Sequence, residues 1–293
     1  MTNDRPQPRK FLKDLGFLFD LKPAQRDRKF LKLLTPEDQE VVEGVWAAAG
    51  AGLDISTQLY SVPKNLEQAT ALYSHDADRY VASMAWIADV VGATKPSSVM
   101  EMGCGAGLLL KFLLKRDSSI QVNGIDSAEN LVRIGSELIE QRLLVGDYLT
   151  YTPTTQYDLV ICEFGYDNSK FPPSRKPHSS ATCGPAQYCP GCAEDAQFHF
   201  REYMGAWRKW SRPSGALAVT GRMTDYTDVR AATLAAKELG WFVDLSQSRI
   251  LATADRYNGN QIFPAWYFTT DERQSATDEE VATFYVKRGR VKS

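Results

Sequence analysis

The stretch VMEMGCGAGLLL, residues 99–110, places three glycines at alternate positions directly after an apolar run. They are Gly103, Gly105 and Gly107, and Glu101 stands two positions before the first of them. Glycine lets a backbone turn sharply and approach a ligand closely. Because a loop between a strand and a helix also aims free helix amides at the ligand, the stretch predicts a binding site for a nucleotide-like molecule.

The residues that follow alternate short apolar runs with segments of helical period, which is typical of parallel strands joined by helices. Strands are predicted in SSVMEMG, QVNGID, YDLVICEF and GALAVTG, and helices in GLLLKFLLKR, AENLVRIGSELIEQRL and DVRAATLAAKELG. Later strands are predicted in WFVDLSQ and in either FPAWYFTT or VATFYVKRG. The pattern predicts an α/β fold with a doubly wound, mostly parallel sheet in residues 97–293.

Residues 1–96 are predicted to form an N-terminal helical segment that caps the sheet domain. Thr35 suits a helix N-cap, and Pro36 suits the first helical position after it. Residues 65–91 carry apolar side chains at spacings of mostly three and four, which predicts a second helix with one buried face.

Asp126 ends the predicted strand QVNGID, about 20 residues after the last glycine of the loop, where a carboxylate can accept hydrogen bonds from two ribose hydroxyls. Two ligand classes share this arrangement. A dinucleotide fingerprint has the order G-x-G-x-x-G, and this chain has Leu108 at the position of its third glycine. The order present is E-x-G-x-G-x-G.

At this point the sequence resembles the class I S-adenosylmethionine-dependent methyltransferases, whose first motif has this form. The resemblance covers about residues 98–219 and implies a Rossmann-like methyltransferase fold. It also implies that the glycine loop accommodates the amino acid part of the cofactor and that Asp126 binds its ribose. The stretch VGDYL corresponds to the place where the family often has an acidic residue near the adenine amino group. The resemblance thus implies these cofactor-binding residues: Glu101, Gly103, Gly105, Gly107, Asp126, Ser127, Asp147, Tyr148 and Glu163.

YDLVICEFGYD corresponds to the family's fourth strand, whose end faces the reactive methyl group. Methyl transfer is an in-line displacement, so the protein mainly holds the acceptor and excludes water. A hydroxyl or ammonium acceptor also needs a base, and the candidates are Glu163, Tyr166 and His178, with Asp167 beside them. His75 is a further candidate, for which an exposed helical histidine is the favoured interpretation.

The residues after the fourth strand, CEFGYDN, depart from the N-P-P-[YF] signature of family members that methylate amide or exocyclic amine nitrogens. This departure argues against adenine-N6 or glutamine as the acceptor. A set of aromatic side chains is expected mainly to pack in the core, and enclosing an apolar or aromatic small molecule is the alternative role for them. These residues are Tyr73, Tyr80, Trp86, Phe164, Tyr166 and Phe171.

An insertion is predicted at about residues 168–197, and it contains Cys183, Cys189 and Cys192 in the spacing C-x5-C-x2-C. Thiolates are strong zinc ligands, and the two-residue separation lets neighbouring sulfurs share one ion. The three cysteines with His178 are therefore a candidate zinc site. Unligated thiols, a disulfide and a thiol site for trivalent arsenic are the alternatives.

Composition narrows the function classes. A net charge of −2 and an isoelectric point near 6.0 give no global reason to expect binding to nucleic acid or to an anionic membrane. No signal peptide or apolar run of membrane-spanning length is evident, and five cysteines favour a reducing cytoplasm. The sequence predicts a cytoplasmic methyltransferase that uses S-adenosylmethionine on a small-molecule acceptor. The alternatives are a nicotinamide-dependent oxidoreductase and a protein of this fold that binds or methylates RNA or protein.

Overall fold

The computed structural model describes residues 7–51, 56–166, 190–221, 223, 226–255 and 259–289. Within them, helices and strands follow the order expected for an α/β protein. The helices are α1 (Pro8–Asp14), α2 (Pro23–Leu31), α3 (Pro36–Gly50), α4 (Leu66–Tyr73), α5 (Ala77–Thr94), α6 (Leu108–Arg116), α7 (Glu129–Ile139), α8 (Pro190–Trp210), α9 (Tyr226–Glu238) and α10 (Asp278–Gly289). The strands are β1 (Ser98–Met102), β2 (Gln121–Asp126), β3 (Leu144–Val145), β4 (Tyr157–Glu163), β5 (Ser211–Thr220), β6 (Phe242–Val243), β7 (Arg249–Asp255) and β8 (Gly259–Thr269).

The strands form one sheet in the order β3-β2-β1-β4-β5-β8-β6, with β7 paired to β8. The first five run parallel, and β8 is antiparallel to β5, β6 and β7. The prediction of a doubly wound, mostly parallel sheet is confirmed. The strand order reverses between β1 and β4, and a ligand crevice is expected at the carboxyl ends of strands at such a point.

The sequence leaves two alternatives open for the last strand. FPAWYFTT lies in β8, while VATFYVKRG lies in helix α10. The strand alternative for VATFYVKRG is therefore wrong. Thr277 and Glu280 explain the helix because each side chain bonds the backbone N–H of the other, at 3.3 and 2.8 Å. This capping box starts a helix regardless of the β-branched and aromatic residues that follow.

The single helix predicted over residues 65–91 is divided into α4 and α5 by a short 3-10 segment, Ser74–Asp76. Ser74 is the cause. Its carbonyl accepts a hydrogen bond from Arg26 at 2.7 Å, and its hydroxyl accepts one from the backbone N–H of Leu18 at 2.9 Å. These contacts, one from α2 and one from the segment after α1, engage the chain where α4 ends, and α5 begins at Ala77.

The N-terminal helices share a core with one face of the sheet. Buried side chains of α1 to α5, among them Phe11, Phe30 and Ile87, form one cluster with those of α6 and α7. The opposite face is covered by a second cluster in which Trp207, Trp241 and other aromatic residues pack.

The domain boundary at residue 96 stays a prediction. No helix in the described part of the chain is long and apolar enough to cross a membrane.

The predicted insertion over residues 168–197 is shortened at its C-terminal end, because α8 begins at Pro190. Proline is common at the first turn of a helix, where its missing N–H is not needed. Residues 167–189 lie outside the described residues.

Candidate functional site

A cavity of about 740 Å³ opens at the carboxyl ends of β1, β2 and β4, where the strand order reverses. The loops after these strands form its floor, and α4, α5 and the 3-10 segment Ser56–Ser61 form its roof. The residues that line it are Thr57, Tyr60, Ser61, Tyr73, Asp76, Arg79, Tyr80, Glu101, Gly103, Cys104, Gly105, Ala106, Leu108, Leu109, Asp126, Ser127, Ala128, Glu129, Asn130, Leu131, Gly146, Asp147, Tyr148, Leu149, Glu163, Phe164, Gly165 and Tyr203.

Two other parts of the chain approach the backbone of the glycine loop closely, one on each side. Gly103 has φ of +74°, and a Cβ on it would lie 2.7 Å from the Cα of Gly165 at the end of β4. Gly105 has φ of +49°, and a Cβ there would lie 2.6 Å from the hydroxyl oxygen of Tyr73. The loop is therefore held between the turn that follows β4 and the end of α4.

Asp126 fixes the same loop from the side of β2. Its Oδ2 accepts the N–H of Gly105 at 2.8 Å, and its Oδ1 accepts the N–H of Ala128 at 2.8 Å. Burial raises the pKa of Asp126, while hydrogen bonds from the backbone amides, including that of Ser127, oppose the rise. Each carboxylate oxygen has a second lone pair, so the side chain can still accept hydrogen bonds from a ligand.

Asp147 and Tyr148 line the cavity on the β3 side. Asp147 is exposed, and its Oδ1 accepts the N–H of Leu149 at 2.9 Å. Tyr148 is buried, with its ring 6.1 Å from that of Trp207 and 6.4 Å from that of Tyr203.

Glu101 and Glu163 lie at the innermost wall, where they are 3% and 8% exposed. The hydroxyl of Ser83 on α5 donates to Oε1 of Glu163 at 2.6 Å. Oε2 of Glu101 has no hydrogen-bond partner among the described residues. Burial raises the pKa of Glu101 well above its usual range, and the charges of Glu163 and Asp126 raise it further.

Arg79 brings a buried positive charge to the roof. It forms an ion pair with Asp76 at 3.2 Å and stacks over the ring of Phe164 at 4.0 Å. Burial opposes its charge, but Asp76, Tyr80 and Glu163 together raise the pKa of the guanidinium above its ordinary value.

The structure brings most of the predicted cofactor residues to this one cavity. Of that set, Gly107 alone is outside its lining. Gly107 is the N-cap of α6 with φ of +66°, and a Cβ on it would lie 3.4 Å from the Cα of Gly135. The positive φ therefore favours glycine at this position, while a Cβ would meet its neighbours at close van der Waals distance.

The catalytic candidates are distributed differently. Glu163 lines the cavity, while Tyr166 lies in the second core cluster with its ring 5.8 Å from that of Phe200. His178 lies outside the described residues. His75 does not line the cavity, and the interpretation of it as an exposed histidine is wrong: its side chain is 8% exposed and its Nδ1 lies 3.1 Å from Asp27.

Of the candidate zinc ligands, Cys183, Cys189 and His178 lie outside the described residues. Cys192 lies in the first turn of α8. The parts of the chain that the structure describes contain no cluster of three metal-ligating side chains.

Sequence reasoning missed the polar face of α5. Asp76, Arg79 and Ser83 follow one another at spacings of three and four, and all of them face the cavity or Glu163. A signal was available, because charged and hydroxyl side chains at helical spacing interrupt an otherwise apolar helix face.

No family model matches the chain. It is 29% identical over 85 residues to an uncharacterized methyltransferase of Bacillus subtilis, covering 28% of this chain and 47% of that protein. It is 31% identical over 85 residues to a ubiquinone biosynthesis O-methyltransferase of Leptothrix cholodnii, covering 26% of this chain and 35% of that protein. The chain therefore spans less than half the length of each of these curated relatives.

The solved structures that partly match the fold of this chain include two methyltransferases. A magnesium protoporphyrin IX methyltransferase from Synechocystis, with bound S-adenosylmethionine, is 15% identical, with a TM-score of 0.42 over 66% of this chain and 83% of that chain. A TehB-like S-adenosylmethionine-dependent methyltransferase from Corynebacterium glutamicum is 14% identical, with a TM-score of 0.39 over 80% and 97%. With the two curated matches and the observed strand order, the predicted resemblance to class I S-adenosylmethionine-dependent methyltransferases is confirmed.

Proposed function

We propose that this chain is a methyltransferase that uses S-adenosylmethionine to methylate a small-molecule acceptor. The observation that carries the proposal is a carboxylate-rich cavity that surrounds a glycine loop at the switch point of the sheet. Similarity to curated methyltransferases supports it.

The charge of the cavity favours a cationic cofactor over a dinucleotide. Its described lining contains six carboxyl groups and one guanidinium, Arg79, which is already paired with Asp76. The pyrophosphate of a nicotinamide cofactor would bring two further negative charges into this wall. A sulfonium cofactor is attracted by it.

The family resemblance and the geometry together give each residue a proposed role. The backbone of the glycine loop accommodates the amino acid part of the cofactor, with Glu101 and Glu163 beneath it. Asp126 binds the ribose, beside Ser127. Asp147 binds the adenine amino group, and Tyr148 packs beside it.

The acceptor side is proposed between the end of β4 and α5. When bound there, the cofactor supplies a methyl group on a positively charged sulfur. Glu163 accepts a proton from a hydroxyl or ammonium acceptor, and Ser83 holds its carboxylate in place. Arg79, Tyr80 and Phe164 close this side of the cavity against water.

Two further expectations stay predictions. Zinc binding at Cys183, Cys189, Cys192 and His178 depends mostly on residues outside the described ones. A reducing cytoplasm rests on the cysteine count of the sequence alone.

Isothermal titration tests the cofactor. We expect S-adenosylmethionine and S-adenosylhomocysteine to bind with one site per chain, and nicotinamide dinucleotides to give no heat of binding. Binding of a nicotinamide dinucleotide alone would favour the oxidoreductase. Transfer of a radiolabelled methyl group into separated small-molecule, RNA and protein fractions of a cell extract then identifies the acceptor class. Label in RNA or protein alone would contradict the small-molecule acceptor.

A further inference from the structure

Two buried carboxyl groups share the inner wall of the cavity. Glu101 lies on β1 and Glu163 on the neighbouring parallel strand β4, where Glu101 is in register with Ile161. Because side chains two residues apart in a strand point to the same face, Glu101 and Glu163 lie on one face of the sheet, about 8 Å apart at Cβ.

The two carboxyl groups differ in what stabilises their charge. Glu163 accepts the hydroxyl of Ser83 at 2.6 Å and has the guanidinium of Arg79 on its side of the cavity. Glu101 is more deeply buried, and its Oε2 accepts no hydrogen bond from any residue in the described ranges. A buried carboxylate without donors is much less stable than the neutral acid.

The other described groups around Glu101 do not supply the missing positive charge. Asp126 on β2 adds a further negative charge, and Asp76 before α5 already pairs with Arg79. Burial raises the pKa values of Tyr73 and Tyr80 in the roof and of Cys104 in the loop well above their usual range. These three groups are therefore neutral near neutral pH and add no charge beside Glu101. Of the two glutamate side chains at the inner wall, Glu101 is the one that holds a proton.

We infer that Glu101 holds a proton in the cofactor-free protein and releases it to solvent when a cationic cofactor binds. The inference rests on the proposed function, since the cation is S-adenosylmethionine. Binding then replaces a buried proton by the positive charge of the ligand, and Glu101 becomes the residue through which the site recognises that charge. Affinity rises with pH until the free protein has lost the proton.

Titration calorimetry of the full chain with S-adenosylmethionine measures the proton directly. The binding enthalpy is compared in phosphate and Tris buffers at one pH, because these buffers differ in ionisation enthalpy. We expect the wild type to release up to one proton more than Glu101→Gln, and its affinity to rise by up to tenfold per pH unit more than that of the variant. Protonation of the ligand's own amino group contributes equally to both.

Glu129→Gln is the matched control, because Glu129 is an exposed carboxylate in the same cavity. It should keep the wild-type proton release. Glu163→Gln should reduce the release, because it removes the like charge that favours the proton on Glu101. Equal release by the wild type and a folded Glu101→Gln would overturn the inference.

Infrared difference spectroscopy of the wild type keeps the test independent of folding of the variant. Addition of S-adenosylmethionine should remove a protonated-carboxyl band, and an unchanged band with saturated binding would overturn the inference. Absence of any S-adenosylmethionine binding by the wild type is a different result, because it contradicts the proposed function itself.

Discussion

The hydroxyl of Tyr73 closes directly over Gly105, so that a Cβ on the glycine would lie 2.6 Å from the tyrosine oxygen. Tyr73 is the last residue of α4, and its ring is buried and lies 5.4 Å from that of Tyr80. The contact joins the N-terminal helices to the loop that the sequence singles out. The bare backbone at Gly105 is therefore required by the protein's own packing, before any ligand is considered.

Gly105→Ala should lower both the free energy of unfolding and the affinity for S-adenosylmethionine. The positive φ alone costs about 1 to 2 kcal/mol for a residue with a Cβ, and the overlap with Tyr73 adds to it. Tyr73→Phe removes the overlapping oxygen. The double variant should therefore regain the stability and affinity lost to the overlap, but not the free energy lost to the positive φ. Urea unfolding and calorimetry measure the two quantities.

Gly92→Ala serves as the control for this pair, because Gly92 lies within α5 and a Cβ there meets nothing within 4 Å. Alanine should stabilise that position by about 0.5 to 1 kcal/mol. If Gly105→Ala behaved like Gly92→Ala, the contact with Tyr73 would have no energetic importance.

Asp126→Ala should weaken binding of S-adenosylmethionine by about 1.5 to 3 kcal/mol, as expected for hydrogen bonds to a charged group. It should also lower stability, because the amides of Gly105 and Ala128 lose their acceptor. Asp126→Asn keeps one acceptor oxygen, so its affinity and stability should lie between those of the wild type and Asp126→Ala. Glu129→Ala, which removes an exposed carboxylate from the same cavity, should change affinity much less. Unchanged affinity in a folded Asp126→Ala would refute the ribose-binding role.

Arg79→Met should lower the free energy of unfolding by about 2 to 4 kcal/mol, because it leaves the partly buried Asp76 without its ion-pair partner. The stacking of the guanidinium on Phe164 is lost as well. The exposed pair of Arg9 and Asp78 gives a comparison within the same chain, and Arg9→Met should cost no more than about 1 kcal/mol. Similar losses in the two variants, measured by urea unfolding, would show that the burial of Arg79 does not matter.

The sequence predicts the lower half of the site better than its upper half. Glu101, Gly103 and Asp126 lie at the carboxyl ends of strands that meet at one sheet edge, so a local motif and the strand order suffice to gather them. Tyr73 is among the aromatic candidates of the sequence, but Arg79 lies on α5, beyond the division at Ser74. Arg26 and Leu18 bind Ser74 at that division. Contacts between residues so far apart in sequence leave no periodic signal. The pattern over residues 65–91 therefore predicts two helices as one.

The three cysteines of the predicted insertion lead to a prediction about metal content. Three cysteines and His178 can provide four ligands of the type that zinc prefers. We expect elemental analysis of protein purified without chelator to find about one zinc per chain. Cys104→Ser removes a buried cysteine outside the predicted insertion and should leave the zinc content of the folded protein unchanged, while Cys192→Ser should lower it. A zinc content far below one per chain in the wild type would count against the site.

Asp158 holds the start of β1 against β4 and so supports the strand that carries Glu101. Its Oδ2 accepts the backbone N–H groups of Ser97 and Ser98, both at 3.0 Å, and their hydroxyls at 2.8 and 3.1 Å. Burial opposes its ionisation, but these serine hydroxyls and the charge of Arg212 lower the pKa of Asp158 below its ordinary value.

A carboxylate whose pKa is lowered by folding stabilises the protein above its unfolded pKa, and this contribution is lost as pH falls through the folded pKa. Asp158→Asn should therefore lower the free energy of unfolding by about 2 kcal/mol near neutral pH. The difference from the wild type should shrink as pH falls below about 4, where the unfolded carboxyl begins to bind its proton. Urea unfolding over a pH series measures it. Asp89→Asn, on the exposed side of α5, should stay within about 0.5 kcal/mol of the wild type at neutral pH. A difference between wild type and Asp158→Asn that did not change with pH would show that the charge of Asp158 contributes nothing to holding β1 in place.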